Sequence, residues 1–292
     1  MNGILLVDKP SGPTSFDVLR QLKRTLGKHK SGHTGTLDPF ASGLMVVCFG
    51  EATKLVQFLT DNIKEYVGVM ELGSETDSGD RDGETVAEMP IPENFHRLLS
   101  EVLPAFLGEI EQTPPRHSAI KVQGRRLYDY ARKGEDVEVP TRRVTIHELE
   151  ILNVDGHRVS FRVVCGKGTY IRTLAMDWAR KIGTVGTLVE LRRTRQGLWR
   201  VEDGVSMEAD EEHVRASLLP STALEGTIPR VTLNETHARL IPFGQRIPVG
   251  ELHVPFPEDE PVMVCNSAGH LLAVARIDGE EVRVERGFAE SW

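Results

Sequence analysis

Two runs rich in branched residues, Val144 to Leu152 and His157 to Val164, flank Asn153-Val154-Asp155-Gly156, and this pattern predicts a β-hairpin. A hairpin commits part of any sheet to antiparallel pairing. The remaining segments agree with that. Ile4 to Val7 reads as a short buried strand ended by Pro10-Ser11-Gly12-Pro13, and Ser15 can cap a helix in which Val18, Leu19, Leu22 and Leu26 recur at helical spacing up to Gly27. Leu44 to Phe49 and Glu65 to Leu72 are expected strands, Thr53 to Leu59 a helix, and Ser74 to Gly83 a polar, turn-rich loop. Asn94 to Phe106 reads as a helix with Leu98, Leu99, Val102, Leu103 and Phe106 on its apolar face. Tyr170 to Ile182 reads as another helix, and Thr187 to Val201 as one long strand or two. Strands and helices interleave without a regular βαβ rhythm. The expected fold is therefore α+β (mixed α/β), a largely antiparallel central sheet flanked by helices. From Val201 to about Leu224 the chain is acidic and loosely helical. Beyond Pro229 it becomes a run of short strands punctuated by Pro and Gly, such as Val262 to Cys265, Leu271 to Ile277 and Glu281 to Glu285, which predicts a small β module.

Charge first points away from nucleic acid, since 35 Lys and Arg face 43 Asp and Glu for a net charge of −8. The regional distribution reverses that inference, because contact with a polyanion depends on patches and not on the total. Eleven acids against two bases lie between Glu71 and Glu111, whereas Arg116 to Arg143 holds eight bases against four acids. Further basic clusters are Arg20, Lys23, Arg24, Lys28 and Lys30, and Arg192, Arg193, Arg195 and Arg200. The segment from Arg230 onward has six Arg, no Lys and ten acids. Cys48, Cys165 and Cys265 are widely spaced in apolar runs, which predicts buried thiols in a reducing compartment, neither a disulfide framework nor a zinc site. The N-terminal apolar run is too short for a signal peptide or a spanning helix, so a cytoplasmic location away from membranes is expected.

The densest group of reactive residue types is Ser31-Gly32-His33-Thr34-Gly35-Thr36-Leu37-Asp38-Pro39. Two glycines allow close backbone approach, and Pro39 holds Asp38 extended. This loop either presents Asp38 as a reactive carboxylate or is a turn in which Asp38 accepts backbone hydrogen bonds. The spacing of His29 and His33 lacks a third ligand for a metal, and no phosphate loop, nucleophile elbow, zincin or dinucleotide fingerprint is present. Ser78-Gly79-Asp80-Arg81-Asp82-Gly83 lacks the acidic ends of a calcium loop and reads as a turn. Gly166-Lys167-Gly168-Thr169-Tyr170-Ile171-Arg172 leads a Gly-rich turn into a helix and places Arg172 near its start. Arg172 is expected to pair with Asp38, lowering its pKa and keeping it ionised. Tyr66, following Lys64-Glu65 at the start of a strand, is a third candidate site residue or a core aromatic.

In order along the chain, Val7-Asp8-Lys9-Pro10-Ser11-Gly12, Gly32-His33-Thr34-Gly35-Thr36-Leu37-Asp38-Pro39, Gly50-Glu51-Ala52-Thr53-Lys54, Tyr66, Leu72-Gly73 and Thr76-Asp77 resemble the tRNA pseudouridine synthase B family. So do Lys121, Gly124, Leu127-Tyr128-Asp129-Tyr130-Ala131-Arg132, Lys167-Gly168-Thr169-Tyr170-Ile171-Arg172 and Leu191-Arg192-Arg193. The resemblance runs from Gly3 to about Arg193. It implies an isomerase, without cofactor or metal, that converts uridine-55 in the T loop of tRNA to pseudouridine. By the same resemblance Asp38 is the essential carboxylate, Arg172 its partner and Tyr66 the ring on the base, with a further role at the C5 proton. His33, Tyr170 and Leu191 line the pocket of the extruded nucleotide. Lys121, Arg125, Arg126, Arg132, Arg192 and Arg193 are expected on the RNA backbone, the first four within an inserted loop at about 114–143. The implied organisation is a catalytic domain over 1–228 and a small β-barrel-like PUA-type domain over 229–292. The expected partner is tRNA alone, with no obligate protein partner and a monomeric chain. A tRNA-binding or tRNA-folding protein using the same surface without essential turnover is the alternative.

Overall fold

A computed structural model describes the chain except residues 61, 116, 117, 119, 123, 128, 129, 131–134, 136, 225, 253–259 and 289–292; at 121, 126 and 242 the backbone alone is described. The first half runs β1 (Gly3–Lys9), α1 (Ser15–Leu26), β2 (Ser31–His33), β3 (Ser42–Phe49), a 3-10 turn, α2 (Val56–Leu59) and β4 (Lys64–Leu72). Next come β5 (Ser74–Thr76), β6 (Thr85–Glu88), α3 (Phe95–Val102), β7 (Gly108–Gln112) and the two-residue strands β8 (Lys121–Val122) and β9 (Arg125–Arg126). The hairpin is β10 (Arg142–Asp155) and β11 (Arg158–Cys165), followed by α4 (Ile171–Lys181), β12 (Gly186–Gln196), β13 (Trp199–Arg200), β14 (Val205–Ser206) and α5 (Glu211–Ala216). The C-terminal part holds β15 (Arg230–Thr232), α6 (Glu235–Ala238), β16 (Ile247–Pro248), β17 (Val262–Cys265), β18 (Leu271–Asp278) and β19 (Glu281–Gly287).

Among the described residues a ten-stranded sheet has the order β14-β1-β3-β12-β4-β11-β10-β7, with β2 and β13 at its margins. Its pairs are antiparallel except β1 with β14 and β3 with β12, so the expected α+β architecture is the observed one. Chain reversal in the hairpin takes only Gly156 and His157, since Asp155 already pairs with Arg158. Ile4 to Val7 and Leu44 to Phe49 are unbroken apolar runs because both faces of β1 and β3 are covered. Leu5, Val7, Met45 and Val47 pack under α1, while Ile4, Leu6, Leu44 and Val46 face the opposite core. In the C-terminal sheet, ordered β15-β17-β18-β19-β16, Met263, Cys265, Leu271 and Val274 join that opposite core with Ala52, Leu55 and Leu59. Its other face has a core of its own around Val262, Val264, Leu272 and Val282. The main core lies beneath α4, where Trp178 is fully buried, meets Phe161 edge-on with ring centres 5.7 Å apart and donates to Leu99 O at 3.3 Å.

Local differences from the sequence expectations have local causes. Thr14, and not Ser15, caps α1 through a capping box with Asp17, and this leaves the Ser15 hydroxyl for another task. The helix expected over Asn94 to Phe106 ends as α-helix at Val102, and Leu103–Phe106 continue as 3-10 helix, because Pro104 has no N–H for the helical ladder. Thr53 to Leu59 likewise begins as 3-10 helix within Gly50–Leu55. The loop expected at Ser74 to Gly83 opens with β5, which pairs with β6. All three cysteines are buried as thiols, outside any disulfide.

Candidate functional site

Asp38 lies in the loop between β2 and β3, and the segment that follows β1 holds that loop in place. Lys9 is fully buried, and its ammonium donates to Ala41 O at 2.7 Å, Pro10 O at 2.9 Å and Pro39 O at 3.3 Å. Gly12 N donates to Pro39 O at 2.8 Å and Ser11 Oγ to Phe40 O at 2.8 Å. Ser15 Oγ both accepts from Leu37 N at 2.9 Å and donates to Leu37 O at 3.0 Å. Buried Leu37 and Phe40 anchor the loop on either side of Asp38 in the main core. The two N-terminal motifs are thus one structural unit. Burial lowers the Lys9 pKa to about 8, opposed by the negative charge of Asp38.

Arg172, in the first turn of α4, approaches Asp38 with Nε 2.9 Å from Oδ2. Its side chain is 3% exposed, whereas that of Asp38 is 34% exposed, so the carboxylate opens to solvent from a buried clamp. A second carboxylate completes the arrangement: Asp80 Oδ2 lies 3.3 Å from Arg172 Nη1. Nη1 also donates to Ser78 O at 2.8 Å, and Ser78 Oγ donates to Asp80 Oδ1 at 2.7 Å. The turn dismissed as a failed calcium loop is therefore the outer half of the arginine clamp. Burial raises the Asp38 pKa, Arg172 opposes this, and Asp80 adds to it. The expected lowering is corrected on that ground: desolvation outweighs the ion pair.

Tyr66 on β4 faces Arg193 on β12 across the antiparallel ladder. Both are buried, Tyr66 to 8% and Arg193 to 1% exposure. Arg193 Nε donates to Leu44 O at 2.6 Å and Nη2 to Gly35 O at 3.1 Å, so it braces the Asp38 loop from beneath. Gly43 permits this approach; a Cβ there would lie 2.3 Å from Arg193 O, and its φ is +105°. Burial pushes the Tyr66 phenol up, and the neighbouring Arg193 guanidinium opposes that shift. His33 has a buried Nδ1 with no hydrogen-bond partner among the described residues, and burial, aided by Arg193, lowers its pKa. Tyr170 is the N-cap residue of α4; its N–H donates to Gln112 Oε1 at 3.0 Å and its carbonyl accepts from Gln112 Nε2 at 3.3 Å. Leu191 is buried at 8% exposure in the same core as Tyr66.

The structure brings Asp38, Arg172, Tyr66, His33, Tyr170 and Leu191 to one end of β4, β12 and α4, but it separates the basic residues. Arg193 was expected on an RNA backbone and is instead a buried brace, because adjacent strand residues face opposite sides of the sheet. Arg192, on the outer side, forms a bidentate pair with Asp8 at 2.7 and 3.0 Å. Arg125 pairs with Glu135 at 2.9 Å and stacks 4.2 Å above the Tyr130 ring. Arg132 and the side chains of Lys121 and Arg126 lie outside the described residues. Lys54, from another matched motif, donates to Gly287 O at 2.8 Å and so ties the 3-10 turn after β3 to the C-terminal sheet. Sequence reading missed Asp80 and Gln112 as site residues. Thr76-Asp77 beside the turn was a signal that could have found the first, and nothing local marks the second.

Fold and site together define an enzyme organised around one accessible carboxylate held by a buried arginine, beside a buried tyrosine backed by a second buried arginine. Comparison with known proteins agrees. Residues 23–171 match the TruB family pseudouridylate synthase N-terminal domain. The chain is 44% identical over 301 residues to tRNA pseudouridine synthase B of Ralstonia nicotianae, covering 98% of this chain and 94% of that protein. It is 43% identical over 256 residues to tRNA pseudouridine synthase B of Geobacillus kaustophilus, covering 84% and 90%. Among solved structures, one of a Cbf5-Nop10-Gar1 complex aligns with a TM-score of 0.75 at 28% identity, covering 98% of this chain and 84% of that one. An H/ACA RNP bound to a substrate RNA containing 2'-deoxyuridine aligns with a TM-score of 0.75 at 25% identity, covering 99% and 85%. The chain belongs to the TruB family of pseudouridylate synthases. No helix among the described residues is long and apolar enough to cross a membrane.

Proposed function

We propose that this enzyme isomerises uridine-55 in the T loop of tRNA, with Asp38 as the catalytic carboxylate. The observation that carries the reading is the clamp: a partly exposed carboxylate held 2.9 Å from a buried guanidinium, in a chain 44% identical over nearly its full length to a tRNA pseudouridine synthase B. In the net reaction the C1′–N1 bond breaks and a C1′–C5 bond forms. C5 loses a proton and N1 gains one, so no cofactor is consumed.

A loop nucleotide must leave its stack to reach Asp38. Ring stacking worth about 1–3 kcal/mol per base offsets part of that cost, and Tyr66 supplies the ring while Leu191 supplies an apolar wall. Arg172 fixes the Asp38 carboxylate and favours its ionised form against the pull of burial. Burial lowers the His33 pKa and so favours its neutral ring, which lines the nucleotide pocket in this reading. Tyr170, pinned at its backbone by Gln112, closes the side of the pocket. Residues 1–228 form the catalytic unit in this reading and 229–292 a PUA-type module. The enzyme works as a cytoplasmic monomer on tRNA.

The test is Asp38→Asn with tRNA tritiated at uridine C5. Tritium release should fall by at least about 10⁴-fold while tRNA binding persists. Release at the wild-type rate would remove Asp38 from the chemistry.

A further inference from the structure

We propose that the exposed face of α1 and the turn after it form a second RNA-backbone contact, outside the catalytic cleft, for the part of the tRNA beyond the loop being modified. This rests on the tRNA reading above. In a chain of net charge −8, the stretch from Ser15 to Lys30 carries five Lys or Arg and one acid, Asp17. Asp17 is engaged in the capping box, where its Oδ2 accepts from Thr14 Oγ1 at 2.6 Å and Thr14 N at 3.1 Å. The buried stripe of Val18, Leu19, Leu22 and Leu26 fixes the rotation of the helix. Phe16, Arg20, Lys23 and Arg24 are then left together at helical spacing on the outside.

Gly27, with φ of +91°, turns the chain back, and His29 N donates to Gly27 O at 2.9 Å. Arg20, Lys23, Arg24, Lys28, His29 and Lys30 consequently line one shallow depression of about 480 Å³. Lys23 and Arg24 complement the C-terminal end of the helix dipole, which accounts for two of these cations and leaves Arg20, Lys28 and Lys30 without such a role. Arg20 lies 3.3 Å from Asp17, with both side chains exposed. Among the described residues Lys23, Arg24, Lys28 and Lys30 have no carboxylate within ion-pair distance. The C-terminal sheet differs, since there Arg246, Arg276 and Arg283 each meet an acid.

Two features select RNA as the occupant. Phe16 is 64% exposed with the Arg20 guanidinium 5.2 Å from its ring centre, and an open aromatic beside a basic depression suits a stacked, phosphate-bearing strand. The patch is also tied to the site through the chain: at the buried start of α1 Ser15 is bonded to Leu37, next to Asp38, and Lys30 leads directly into β2, which carries His33. A twelve-residue helix is about 18 Å long, so a strand leaving the cleft can follow it for several phosphates.

The test compares full-length unmodified tRNA with a hairpin of the T stem and loop alone, by fluorescence anisotropy across a salt series and by tritium release. Lys23→Glu/Arg24→Glu should bind full-length tRNA at least tenfold more weakly and flatten its salt slope by about 1.4–1.8, two phosphate contacts' worth. Hairpin binding, and hairpin turnover at saturation, should match the wild type. Lys23→Gln/Arg24→Gln, which cannot misfold through charge reversal, should give the same flattening with a smaller loss of affinity. Wild-type affinity and slope on full-length tRNA in both variants would overturn the proposal. An equal loss on both RNAs would overturn it too, because the patch would then belong to the cleft. If the wild type released tritium from neither RNA, the function proposed above would fail, while the binding comparison would still decide the patch.

Discussion

Arg172 and Arg193 are buried within one site, at 3% and 1% exposure, and they do opposite work. Arg172 meets two carboxylates, Asp38 at 2.9 Å and Asp80 at 3.3 Å. Arg193 donates to two carbonyls, Leu44 O at 2.6 Å and Gly35 O at 3.1 Å, with no carboxylate in ion-pair range among the described residues. The first controls charge at the reacting group. The second is a strut that fixes the loop carrying that group and borders Tyr66. Two guanidiniums of equal burial therefore differ in what their removal exposes, like charges in one case and unsatisfied carbonyls in the other.

Three substitutions probe this contrast. Arg172→Met should be the most damaging, since it removes the one cation in ion-pair contact with both Asp38 and Asp80 among the described residues. Tritium release should fall at least about 10³-fold, and urea unfolding should show a loss of about 3–5 kcal/mol, as when one partner of a buried pair is removed. A variant of wild-type stability would show that the two carboxylates do not depend on the clamp. Arg193→Met should cost about 1–3 kcal/mol by the same measurement, from carbonyls left unpaired, and should leave the salt slope of tRNA binding unchanged. A flattened slope would return Arg193 to the RNA backbone and end the distinction.

The smallest effect belongs to Asp80→Asn. Burial already holds Asp38 above the ordinary carboxylate range, so activity should decline on the acid side at a higher pH than a free aspartate would give. Asp80 adds to that rise through its negative charge. Removing the charge lets Asp38 ionise more readily, so the acid limb of kcat/KM should move to lower pH, with a fall of about tenfold at neutral pH from looser positioning. A limb that stays in place would make Asp80 a purely structural partner of Arg172.

Much of this molecule was legible before any tertiary contact was known. Period-2 alternation located β4, the turn at Asn153 to Gly156 between two strand-like runs located β10 and β11, and unbroken apolar runs located β1 and β3, because strand burial is written directly into side-chain spacing. Helical spacing likewise located α1 and α4, although Pro104 cut short the helix after Phe95. Asp38 and Arg172 were found as a pair by their Gly-rich settings. Asp80 was not, since in sequence it is one more acid in an acidic stretch, and its task is set by an arginine far along the chain. Arg192 and Arg193 were read as one basic patch, and only the orientation of β12 shows that they face opposite ways.

The sequence by itself determined the antiparallel framework, the candidate carboxylate and the family, because spacing and residue type suffice for these. The tertiary structure decided which of the charged residues are buried, which pair, and in which direction the Asp38 carboxyl is pushed. Desolvation and Coulomb energies sum over everything that packs around a group, and most of what surrounds Asp38 comes from β1, the Ser78–Asp80 turn and α4. The −8 net charge is the plainest instance: it describes the chain, while Lys23 and Arg24 of α1, without an ion-pair partner among the described residues, and the paired arginines of the C-terminal part describe two surfaces.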